Sequence, residues 1–469
     1  MTRSRPTRIA ILGGGPGGYE AALVAAQLGA EVLVVDRDGL GGACVLADCV
    51  PSKTLIATSE SMTTFACSEP LGVRLRSGTR SEEEVSVDLA VVNARVKALA
   101  LAQSLDIARR VGREGVSVVR GSGRIAGPGR LVVELDDGRE EYAADIILVA
   151  TGARPRSLPG VVPDGERVVN WQQLYDLPTL PEHLIVVGSG VTGAEFASAY
   201  LALGSQVTLV SSRDRVMPSE DADAALLLED VFTRRGMRIA KRSRAADVTR
   251  TRDGVVVKLE DGGTVEGSHC LVAVGSVPNT GGIGLDDVGV VTDERGYIAV
   301  DGVSRTSVPG IYAAGDCTGV LLLASVAAMQ GRIAMWHSLG DAVRPLRLSH
   351  VSANVFTDPE IATVGLGQTA VEEGLAGVRE VKLPLGTNAR AKMQGSLDGF
   401  VKLYCRAGTG IVLGGVVVAP RASELILPVS VAVQNNLTVD QLAHTFTIYP
   451  SLSGSITEAA RQLHLVAQG

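Results

Sequence analysis

Apolar runs alternate with glycine turns and helical stretches in an order that predicts βαβ motifs. The run RIAIL (Arg8–Leu12) has the pattern of a short buried strand, and it is followed by GGGPGG, by the alanine-rich helical run YEAALVAAQLG and by the strand-like EVLVVD. The same order returns about 175 positions later in HLIVVGSG, VTGAEFASAYLALG and SQVTLVSS. Two copies at this distance indicate two nucleotide-binding domains rather than a solenoid, whose repeats are shorter.

The remaining pattern predicts further strands, one long helix and a change of texture near the end. Between the two motifs we expect a helix over about residues 86–113 and strands near 116–120, 131–135 and 145–149. After the second motif, VVVKLE and CLVAVG predict strands that lead to GIYAAGDCTG. From about residue 348, FTDPEIATVG, GFVKLYC and GIVLGGVVVAP predict strands, and SELILPVSVAVQNN predicts a helix. This last stretch is typical of an α+β module.

Composition and charge narrow the class of protein. The 469 residues are too many for one ordinary core, and the net charge of −7 argues against general affinity for nucleic acid or anionic membranes. Since an apolar run of the roughly 18 residues that a membrane helix needs is missing, we expect no integral membrane segment. The apolar run in MTRSRPTRIAILGGG is also shorter than the roughly 7–15 residues of a secretory signal, which favours a cytoplasmic protein.

The first glycine fingerprint has the features of a dinucleotide site. Gly13, Gly15 and Gly18 lie between a predicted strand and a predicted helix, where they permit a tight turn and close approach to a pyrophosphate. The helix N-terminus offers free N–H groups to the phosphates. Asp36 follows Gly13 by twenty-three positions and can hold ribose hydroxyls. We therefore predict nucleotide binding here; the alternative is a glycine-rich packing turn.

The second fingerprint differs from the first at its acidic position. Its glycines are Gly188, Gly190 and Gly193. Twenty-three positions after Gly188 the chain has Ser211, not an acid, and Arg213 and Arg215 follow closely. Hydroxyls and arginines tolerate or favour a 2′-phosphate, which a carboxylate would repel. The pattern predicts that this site takes NADPH as well as NADH; the alternative is a solvated loop without a preference.

Two cysteines lie close together in GGACVLADCVPSKT, residues 41–54. Cys44 and Cys49 are too closely placed for most zinc sites and have no nearby histidine, so we predict no metal site and favour a redox pair. Five steps along a regular helix rise ~7.5 Å, which exceeds the ~7 Å limit for bridging. We therefore expect an irregular turn that leads into a helix, whose N-terminus lowers the pKa of one thiol. Two incidental buried cysteines are the alternative.

Taken together, these motifs resemble the pyridine nucleotide–disulfide oxidoreductases, the flavoprotein family of dihydrolipoamide dehydrogenase, glutathione reductase and mercuric reductase. The resemblance covers nearly the whole chain, and it also includes Ala150-Thr151-Gly152, VGSVPN, YAAGD and FTDPEIATVG. It implies an α/β fold with two Rossmann-like domains, for FAD and NAD(P), and a C-terminal α+β dimerisation domain, hence a homodimer. The implied boundaries are 1–155 and 272–346 for the FAD domain, 156–271 for the NAD(P) domain and 347–469 for the interface domain.

The resemblance also implies roles for individual residues. FAD would lie on the first fingerprint and NAD(P)H on the second, with Cys49 as the charge-transfer thiol and Cys44 as the interchange thiol. Lys53 would approach the flavin N5 region and pair with Glu195. The implied catalytic residues are Cys44, Cys49, Lys53 and Glu195, and Tyr449 is a further candidate on its own chemistry. The implied cofactor-binding residues are Gly13, Gly15, Gly18, Asp36, Arg37, Gly42, Lys53, Thr151, Gly152, Gly188, Gly190, Gly193, Ser211, Arg213, Gly275, Gly315 and Asp316.

The chain departs from disulfide reductases near its C-terminus. Those enzymes carry a histidine directly before a proline and a glutamate five positions after that histidine; the pair moves protons at the interchange thiol. In FTIYPSLSGSITEA these positions are Tyr449 and Gly454. We interpret His444 as a surface or packing residue and Glu458 as a helix-face residue. Tyr449 could hydrogen-bond a substrate oxygen, but a phenol with a pKa of about 10 is a poor base.

These departures predict the reaction. Because a general base contributes typically about 10²–10⁴-fold, dithiol–disulfide turnover should be feeble, whereas hydride transfer from NAD(P)H to flavin does not need that base. We predict an FAD-dependent NAD(P)H dehydrogenase that passes electrons to a quinone or similar acceptor, similar to the dihydrolipoamide dehydrogenase-like quinone reductases. A second departure supports this prediction: the chain has Ser325 and apolar neighbours in a stretch where dihydrolipoamide dehydrogenase has a His-Lys and acidic pattern. A true disulfide reductase, a soluble transhydrogenase and a flavin-binding redox sensor with little turnover remain alternatives.

Overall fold

The computed structural model describes residues 5–73, 76, 85–374 and 377–464. The chain divides into two compact units. The first unit comprises Met1–Thr54, Asn93–Arg156 and Ser276–Arg347, and the second comprises Leu55–Val92, Ser157–Gly275 and Leu348–Gly469. The described helices are Pro16–Gln27, Gly42–Leu46, Cys49–Ala66, Leu89–Arg113, Val191–Leu203, Ala222–Arg234, Leu285–Val288, Ala324–Ser338, Gln368–Glu372, Ala389–Gln394, Ala422–Leu425, Leu427–Asn435, Val439–Ala443 and Gly454–Gln462.

A five-stranded parallel sheet forms the centre of the first unit. Its strands, in spatial order, are Ile311–Ala313, Ile146–Val149, Arg8–Leu12, Glu31–Asp36 and Ser117–Arg120. The first strand of the chain lies in the middle, and it pairs with one neighbour on each side. The chain therefore changes direction across the sheet at this strand, and such a switch point is where open α/β sheets bind ligands.

Smaller sheets and closely packed helices complete the first unit. The smaller strands are Ser122–Gly127, Arg130–Leu135 and Gly138–Ala143 in one antiparallel sheet, and Ala153–Pro155 with Ser276–Pro278 in another. The helices Pro16–Gln27 and Ala324–Ser338 pack so tightly that a Cβ on Gly331 would lie 2.1 Å from the carbonyl oxygen of Gly17. Arg332 pairs with the buried Glu20 at 2.7 Å and joins the same two helices.

The second unit has its own five-stranded parallel sheet. Its strands, in spatial order, are Arg238–Ala240, Gln206–Val210, His183–Val187, His269–Val272 and Val168–Asn170. The strand that precedes the second glycine fingerprint is again the middle one, so this sheet also has its switch point at the glycine turn. An antiparallel sheet follows in the chain, with the strands Ala245–Arg250, Val255–Leu259 and Thr264–Gly267.

An antiparallel sheet dominates the C-terminal part of the second unit. Its strands, in spatial order, are Ser352–Val355, Glu360–Gly365, Val412–Ala419, Phe400–Arg406 and Val378–Pro384. The strands Phe400–Arg406 and Val412–Ala419 are almost completely buried. Helices Leu427–Asn435 and Gly454–Gln462 contribute Val429, Ile456 and Ala459 to the same core.

A buried ion pair joins this sheet to the parallel-sheet part of the second unit. The ammonium of Lys402 lies 2.7 Å from a carboxylate oxygen of Asp221 and 2.7 Å from one of Asp223. Asp221 also caps the helix Ala222–Arg234. Removing one partner of such a buried pair typically costs about 3–5 kcal/mol, because the other charge stays buried without compensation. The pair therefore holds this helix against the C-terminal sheet.

The predicted α/β architecture with a C-terminal α+β part is confirmed, and most element boundaries agree with the pattern. The long helix Leu89–Arg113 begins three residues later than predicted, because Asp88 accepts a hydrogen bond from the backbone of Val91 and caps it. The predicted helix in SELILPVSVAVQNN is two helices, Ala422–Leu425 and Leu427–Asn435. In the described part of the chain, no helix combines the length and apolar character needed to cross a membrane. The domain boundaries remain predictions.

Candidate functional site

The first glycine turn forms a cradle that has no room for a side chain at two of its three glycines. Gly13 has φ +101°, and a Cβ there would lie 2.3 Å from the carbonyl oxygen of Ala150. A Cβ on Gly18 would lie 1.9 Å from the carbonyl oxygen of Gly13, which explains the close approach of strand and helix. Gly15 caps the helix Pro16–Gln27 and has open space where its side chain would be, and a Cβ on Gly42 would lie 2.9 Å from the Cα of Gly15. The open helix N-terminus between two glycines fits a pyrophosphate.

Asp36 closes this turn from the end of the second strand. One of its carboxylate oxygens accepts a hydrogen bond from the Gly14 backbone at 2.6 Å. The other accepts from the backbones of Asp38 and Gly39, at 2.9 and 2.7 Å. The carboxylate is thus held rigidly, and the oxygen bonded to Gly14 keeps a lone pair for a ribose hydroxyl. Arg37 is exposed and pairs with Asp38 at 3.0 Å.

Asn279 fixes the Ala150-Thr151-Gly152 segment. Its side-chain nitrogen donates to the carbonyl oxygen of Thr151, and its backbone N–H donates to that of Gly152, both at 3.0 Å. Arg154 in turn donates to the Asn279 side-chain oxygen at 3.0 Å. Gly152 has φ +69°, a conformation that favours glycine. Sequence reasoning quoted Asn279 within VGSVPN but missed its role; its side chain pairs with residues more than a hundred positions away.

The turn at Gly315 and Asp316 is positioned by Gln330. The side-chain oxygen of Gln330 accepts a hydrogen bond from the Gly315 backbone at 2.8 Å, and its nitrogen donates to the Thr318 hydroxyl at 3.3 Å. Burial, with a smaller contribution from Asp48, raises the pKa of Asp316 to about 6. A ligand hydroxyl that donates a hydrogen bond to this carboxylate offsets the cost of its burial. The chemistry of these residues therefore fits the ribityl chain of FAD, and the glycine cradle fits its pyrophosphate.

The cysteine pair lies at the junction of two consecutive helices. Cys44 belongs to the short helix Gly42–Leu46, and Cys49 is the first residue of Cys49–Ala66. Between them the Asp48 backbone donates to the carbonyl oxygen of Ala43 at 2.8 Å, so the two cysteines are joined by a turn and not by a continuous helix. Both cysteines are free thiols and half-buried.

The two thiols have opposite pKa shifts. A hydrogen bond from Cys49 lowers the pKa of Cys44, and burial together with the carboxylates of Asp48 and Asp316 opposes this effect. The same hydrogen bond, followed by burial, raises the pKa of Cys49. The charge of Lys53 favours both thiolates. Cys44 is therefore the thiol with the lowered pKa, and the main cause is the hydrogen bond from its partner thiol. The contribution of the helix N-terminus stays a prediction.

The second glycine turn repeats the geometry of the first. Gly188 has φ +112°, and a Cβ there would lie 2.2 Å from the carbonyl oxygen of Ala273. A Cβ on Gly193 would lie 1.9 Å from the carbonyl oxygen of Gly188, and Gly190 caps the helix Val191–Leu203 with open space around it. Gly275, at φ +97°, also has open space at its side-chain position. This cradle fits the pyrophosphate of a second dinucleotide.

Ser211 occupies the position that is acidic in the first turn. It is fully buried, and its hydroxyl lies 2.7 Å from the hydroxyl of Ser189, the residue between the first two glycines. Its Oγ also accepts a hydrogen bond from the Arg213 backbone at 3.1 Å. The side chain of Arg213 is exposed, and Arg215 is half-buried. Sequence reasoning missed Ser189, although the alignment of the two fingerprints places it opposite Gly14.

Glu195 is buried in the second unit, on the helix Val191–Leu203. Its carboxylate accepts a hydrogen bond from the Phe356 backbone at 2.8 Å. The FTDPEIATVG stretch thus supports this side chain, and Ser198 on the same helix accepts a second hydrogen bond, from the Asp358 backbone at 3.2 Å. Lys53 belongs to the first unit, and its pairing with Glu195 stays a prediction.

The C-terminal segment presents apolar side chains to solvent in the single chain. Tyr449 is 86% exposed and Ile448 is 81% exposed, and Phe446 is fully exposed. Gly454 begins the helix Gly454–Gln462. Glu458, on this helix, pairs with Arg461 at 2.6 Å, which lowers its pKa to about 2. The ring of His444 lies 2.7 Å from the Asp440 backbone oxygen at the end of its own helix. The Glu458–Arg461 and His444–Asp440 contacts thus each join residues of one helical turn.

The family is decided by two matches that together cover most of the chain. The family model described as pyridine nucleotide-disulphide oxidoreductase matches residues 7–331. The dimerisation domain of the same family matches residues 351–460. The chain belongs to this family. The pyridine nucleotide-disulphide oxidoreductases use FAD and NAD(P)H, so the enzyme is a flavin-dependent NAD(P)H oxidoreductase, as the resemblance implied.

Several known members of the family resemble this pyridine nucleotide-disulphide oxidoreductase over almost its full length. A protein of Mycobacterium tuberculosis named NAD(P)H dehydrogenase (quinone) is 57% identical over 467 residues, 97% of this chain and 94% of that protein. A dihydrolipoyl dehydrogenase of Chlorobaculum tepidum is 35% identical over 457 residues, 96% of each protein. The crystal structure of LpdA from Mycobacterium tuberculosis has a TM-score of 0.93 at 57% identity and covers 98% of this chain and 100% of that one.

Proposed function

We propose that this enzyme transfers electrons from NAD(P)H, through FAD, to a quinone. The observation that carries the proposal is the replacement of the histidine–glutamate pair by Tyr449 and Gly454. Without a base, the step that exchanges thiols with a disulfide substrate loses a contribution of about 10²–10⁴-fold. Quinone reduction needs no thiol exchange. The name of the relative at 57% identity, NAD(P)H dehydrogenase (quinone), supports this choice of acceptor.

The residues of the two glycine turns would bind and orient the two dinucleotides. When bound, FAD supplies the ability to accept hydride from NAD(P)H and to pass electrons on to the acceptor. Gly15, at the open N-terminus of the helix, would donate its backbone N–H to the pyrophosphate, and Gly13 and Gly18, which have no room for a side chain, would let the backbone approach it closely. Asp36 would accept from the ribose and Asp316 from the ribityl chain. Gly188, Gly190, Gly193 and Gly275 would hold the second dinucleotide in the same way. The rest of the proposed FAD site is formed by Arg37, Gly42, Thr151, Gly152 and Gly315.

Lys53 would place its positive charge near the flavin N5 region, and the carboxylate of Glu195 would pair with it. The Phe356 N–H bond holds the Glu195 carboxylate in one orientation. A buried lysine without such a partner tends to lose its proton, because burial disfavours the charged form. The proposed role of Glu195 is therefore to keep Lys53 protonated.

The second dinucleotide would be NADPH as well as NADH. The buried Ser211 and Ser189 carry no charge where the first turn has Asp36, and Arg213 is exposed next to them. A neutral pair of hydroxyls does not repel a 2′-phosphate, and an arginine binds it.

The enzyme would act as a homodimer in the cytoplasm. The exposed segment with Phe446, Ile448 and Tyr449 belongs to the dimerisation domain, and a second copy of the chain would cover it. Tyr449 would then reach the acceptor site of the partner subunit and donate its hydroxyl to a quinone oxygen. The cytoplasmic location is proposed because thiols such as Cys44 and Cys49 stay reduced in such a compartment, whereas secreted proteins form structural disulfides.

A second candidate function is disulfide reduction, which the thiol pair favours. Cys44 and Cys49 are hydrogen-bonded, and the pKa of Cys44 is lowered, as an attacking thiol requires. A quinone reductase has no evident need for this arrangement. Dithiol chemistry without the missing base would be slow, so we rank it second.

Steady-state turnover tests both functions in one experiment. The purified FAD-loaded enzyme is supplied with NADPH or NADH, and with either a simple naphthoquinone or lipoamide as acceptor. We expect quinone turnover with both nucleotides and negligible lipoamide turnover. Brisk lipoamide turnover would support the second candidate instead. Stoichiometric flavin reduction without turnover on any acceptor would exclude both functions.

A further inference from the structure

We propose that Glu229 is a positioning residue that fixes the 211–217 loop for recognition of the 2′-phosphate of NADPH. The inference rests on the proposed use of NADPH. Glu229 lies on the helix Ala222–Arg234 and does not follow the glycine turn in sequence. Its carboxylate reaches the loop that carries Arg213 and makes contacts that a surface glutamate does not make.

The loop is fixed to the glycine turn at both of its ends. At the first end, the Ser211 hydroxyl lies 2.7 Å from Ser189 Oγ. At the second end, the Met217 backbone donates to the Ser189 carbonyl oxygen at 2.9 Å, although Met217 has a positive φ of 53°. A non-glycine residue in this conformation is strained and persists only where its surroundings hold it. Contacts with neighbouring segments therefore hold the loop in this conformation.

Glu229 supplies part of that restraint. One oxygen of its carboxylate accepts the Val216 backbone N–H at 2.6 Å, next to the strained Met217. The other oxygen lies 2.5 Å from the ammonium of Lys241. The Glu229 side chain is only 8% exposed. Burying a charged carboxylate is costly unless both oxygens are bonded, and here both are.

The strand end that carries Lys241 braces the same loop from the other side. The Ser211 N–H donates to the Ala240 carbonyl oxygen, and the Ser243 N–H donates to that of Ser211, both at 2.8 Å. The Arg242 N–H donates to the carbonyl oxygen of Arg213 at 3.1 Å. The Glu229 carboxylate on one side and the backbone of residues 240–243 on the other thus hold the loop between helix and strand, and the Arg213 backbone is fixed while its side chain is in solvent. An arginine whose backbone is fixed binds phosphate better than one on a mobile loop, because less conformational freedom is lost on binding.

Calorimetry with two nucleotide fragments tests the inference without turnover. The probes are 2′,5′-ADP, which carries the 2′-phosphate, and 5′-AMP, which lacks it; the protein is the FAD-loaded full chain. We expect Glu229→Ala to weaken 2′,5′-ADP binding by about tenfold and 5′-AMP binding by less than about twofold, as for loss of one charge-assisted contact. Glu229→Gln keeps the acceptor for the Val216 N–H and should restore most of the difference. Asp230→Ala removes an exposed acid from the same helix and should leave the ratio of the two affinities unchanged.

A double variant shows whether Glu229 acts through Arg213. In an Arg213→Ala background, the further change Glu229→Ala should have no additional effect on the ratio of the two affinities. Equal weakening of both probes by Glu229→Ala, or full additivity of the two changes, would overturn the inference. A wild-type protein that binds the two probes equally would overturn it together with the proposed use of NADPH. Failure to reduce a quinone would refute the proposed reaction alone, because these measurements need no acceptor.

Discussion

The hydroxyls of Ser189 and Ser211 lie 2.7 Å apart, at the positions where the first unit has Gly14 and Asp36 joined by a 2.6 Å hydrogen bond. In both units the residue twenty-three positions after the first glycine is tied to the residue between the first two glycines. The two contacts join equivalent positions, but the groups that meet and their charge differ. A carboxylate accepts a backbone N–H in one unit, and two neutral hydroxyls meet in the other, so the second turn carries no charge against a 2′-phosphate.

We predict that Ser211→Asp makes the enzyme selective for NADH. The new carboxylate would repel a 2′-phosphate, so kcat/KM for NADPH should fall by at least about tenfold, a loss of 1.4 kcal/mol or more. The value for NADH should change by less than about threefold, since a carboxylate can accept from a free 2′-hydroxyl. The measurement is steady-state turnover with both nucleotides. Ser211→Ala is the control, because it removes the hydroxyl without adding charge; equal losses with NADPH and NADH in the aspartate variant would contradict the prediction.

Alkylation should identify Cys44 as the more acidic thiol of the pair. The reduced protein is treated with iodoacetamide between pH 6 and 10, in a Cys67→Ser background because Cys67 is exposed. Only the thiolate reacts, so Cys44 should be labelled before Cys49, with a midpoint below the ordinary pKa of about 8.5. Cys49→Ala removes the hydrogen bond that lowers the pKa of Cys44, and the midpoint should move to higher pH. Preferential labelling of Cys49 would reverse the assignment.

Restoring the missing pair should create dithiol chemistry. The double variant Tyr449→His, Gly454→Glu supplies a base before the proline and an acid to orient it. Lipoamide turnover should rise by about 10²-fold or more if the geometry is productive, since a general base contributes typically about 10²–10⁴-fold. Gly454→Glu alone is the control and should stay close to wild type, because it adds no base, and Tyr449→His alone should give a smaller rise than the double variant, because its base is not oriented. If the wild type already turns over lipoamide rapidly, another group replaces the pair, and our interpretation of this segment is wrong.

FAD affinity should rise with pH through about 6. Without FAD, burial raises the pKa of Asp316 to about 6. A ribityl hydroxyl that donates to this carboxylate favours its charged form, so the pKa falls when FAD binds, and binding releases a proton below pH 6. Affinity should therefore increase between pH 5 and 7 and level off above, by up to about tenfold for each unit by which the pKa falls. Fluorescence titration of the apoprotein measures this effect.

The variant Asp316→Asn provides the comparison for that titration. It has no group that titrates in this range at the same position, so its affinity for FAD should be lower than that of the wild type and should vary much less with pH. A wild-type affinity that is constant or that falls between pH 5 and 7 would show that FAD does not bond the charged form of Asp316.

The sequence by itself determined the repeated βαβ motifs, both glycine turns and the missing pair at Tyr449 and Gly454. These features are local or are matters of residue identity. Hydrophobic periodicity also located some buried strands to within a residue, for example Ile146–Val149 against the predicted 145–149, whereas the strand predicted from FTDPEIATVG begins only at Glu360. It missed the outer strand Gly138–Ala143, because a strand that is mostly exposed has no apolar pattern to read.

Only the tertiary structure decided which polar groups meet. Asn279 bonds Thr151 across 128 positions, and Glu229 reaches Val216 from a helix that sequence reasoning had not connected with the nucleotide. The order of ionisation of the two thiols likewise came from their contact, not from their distance in the chain. Apolar burial is non-directional and leaves a periodic trace in the sequence, whereas a hydrogen bond depends on where folding brings two distant segments together.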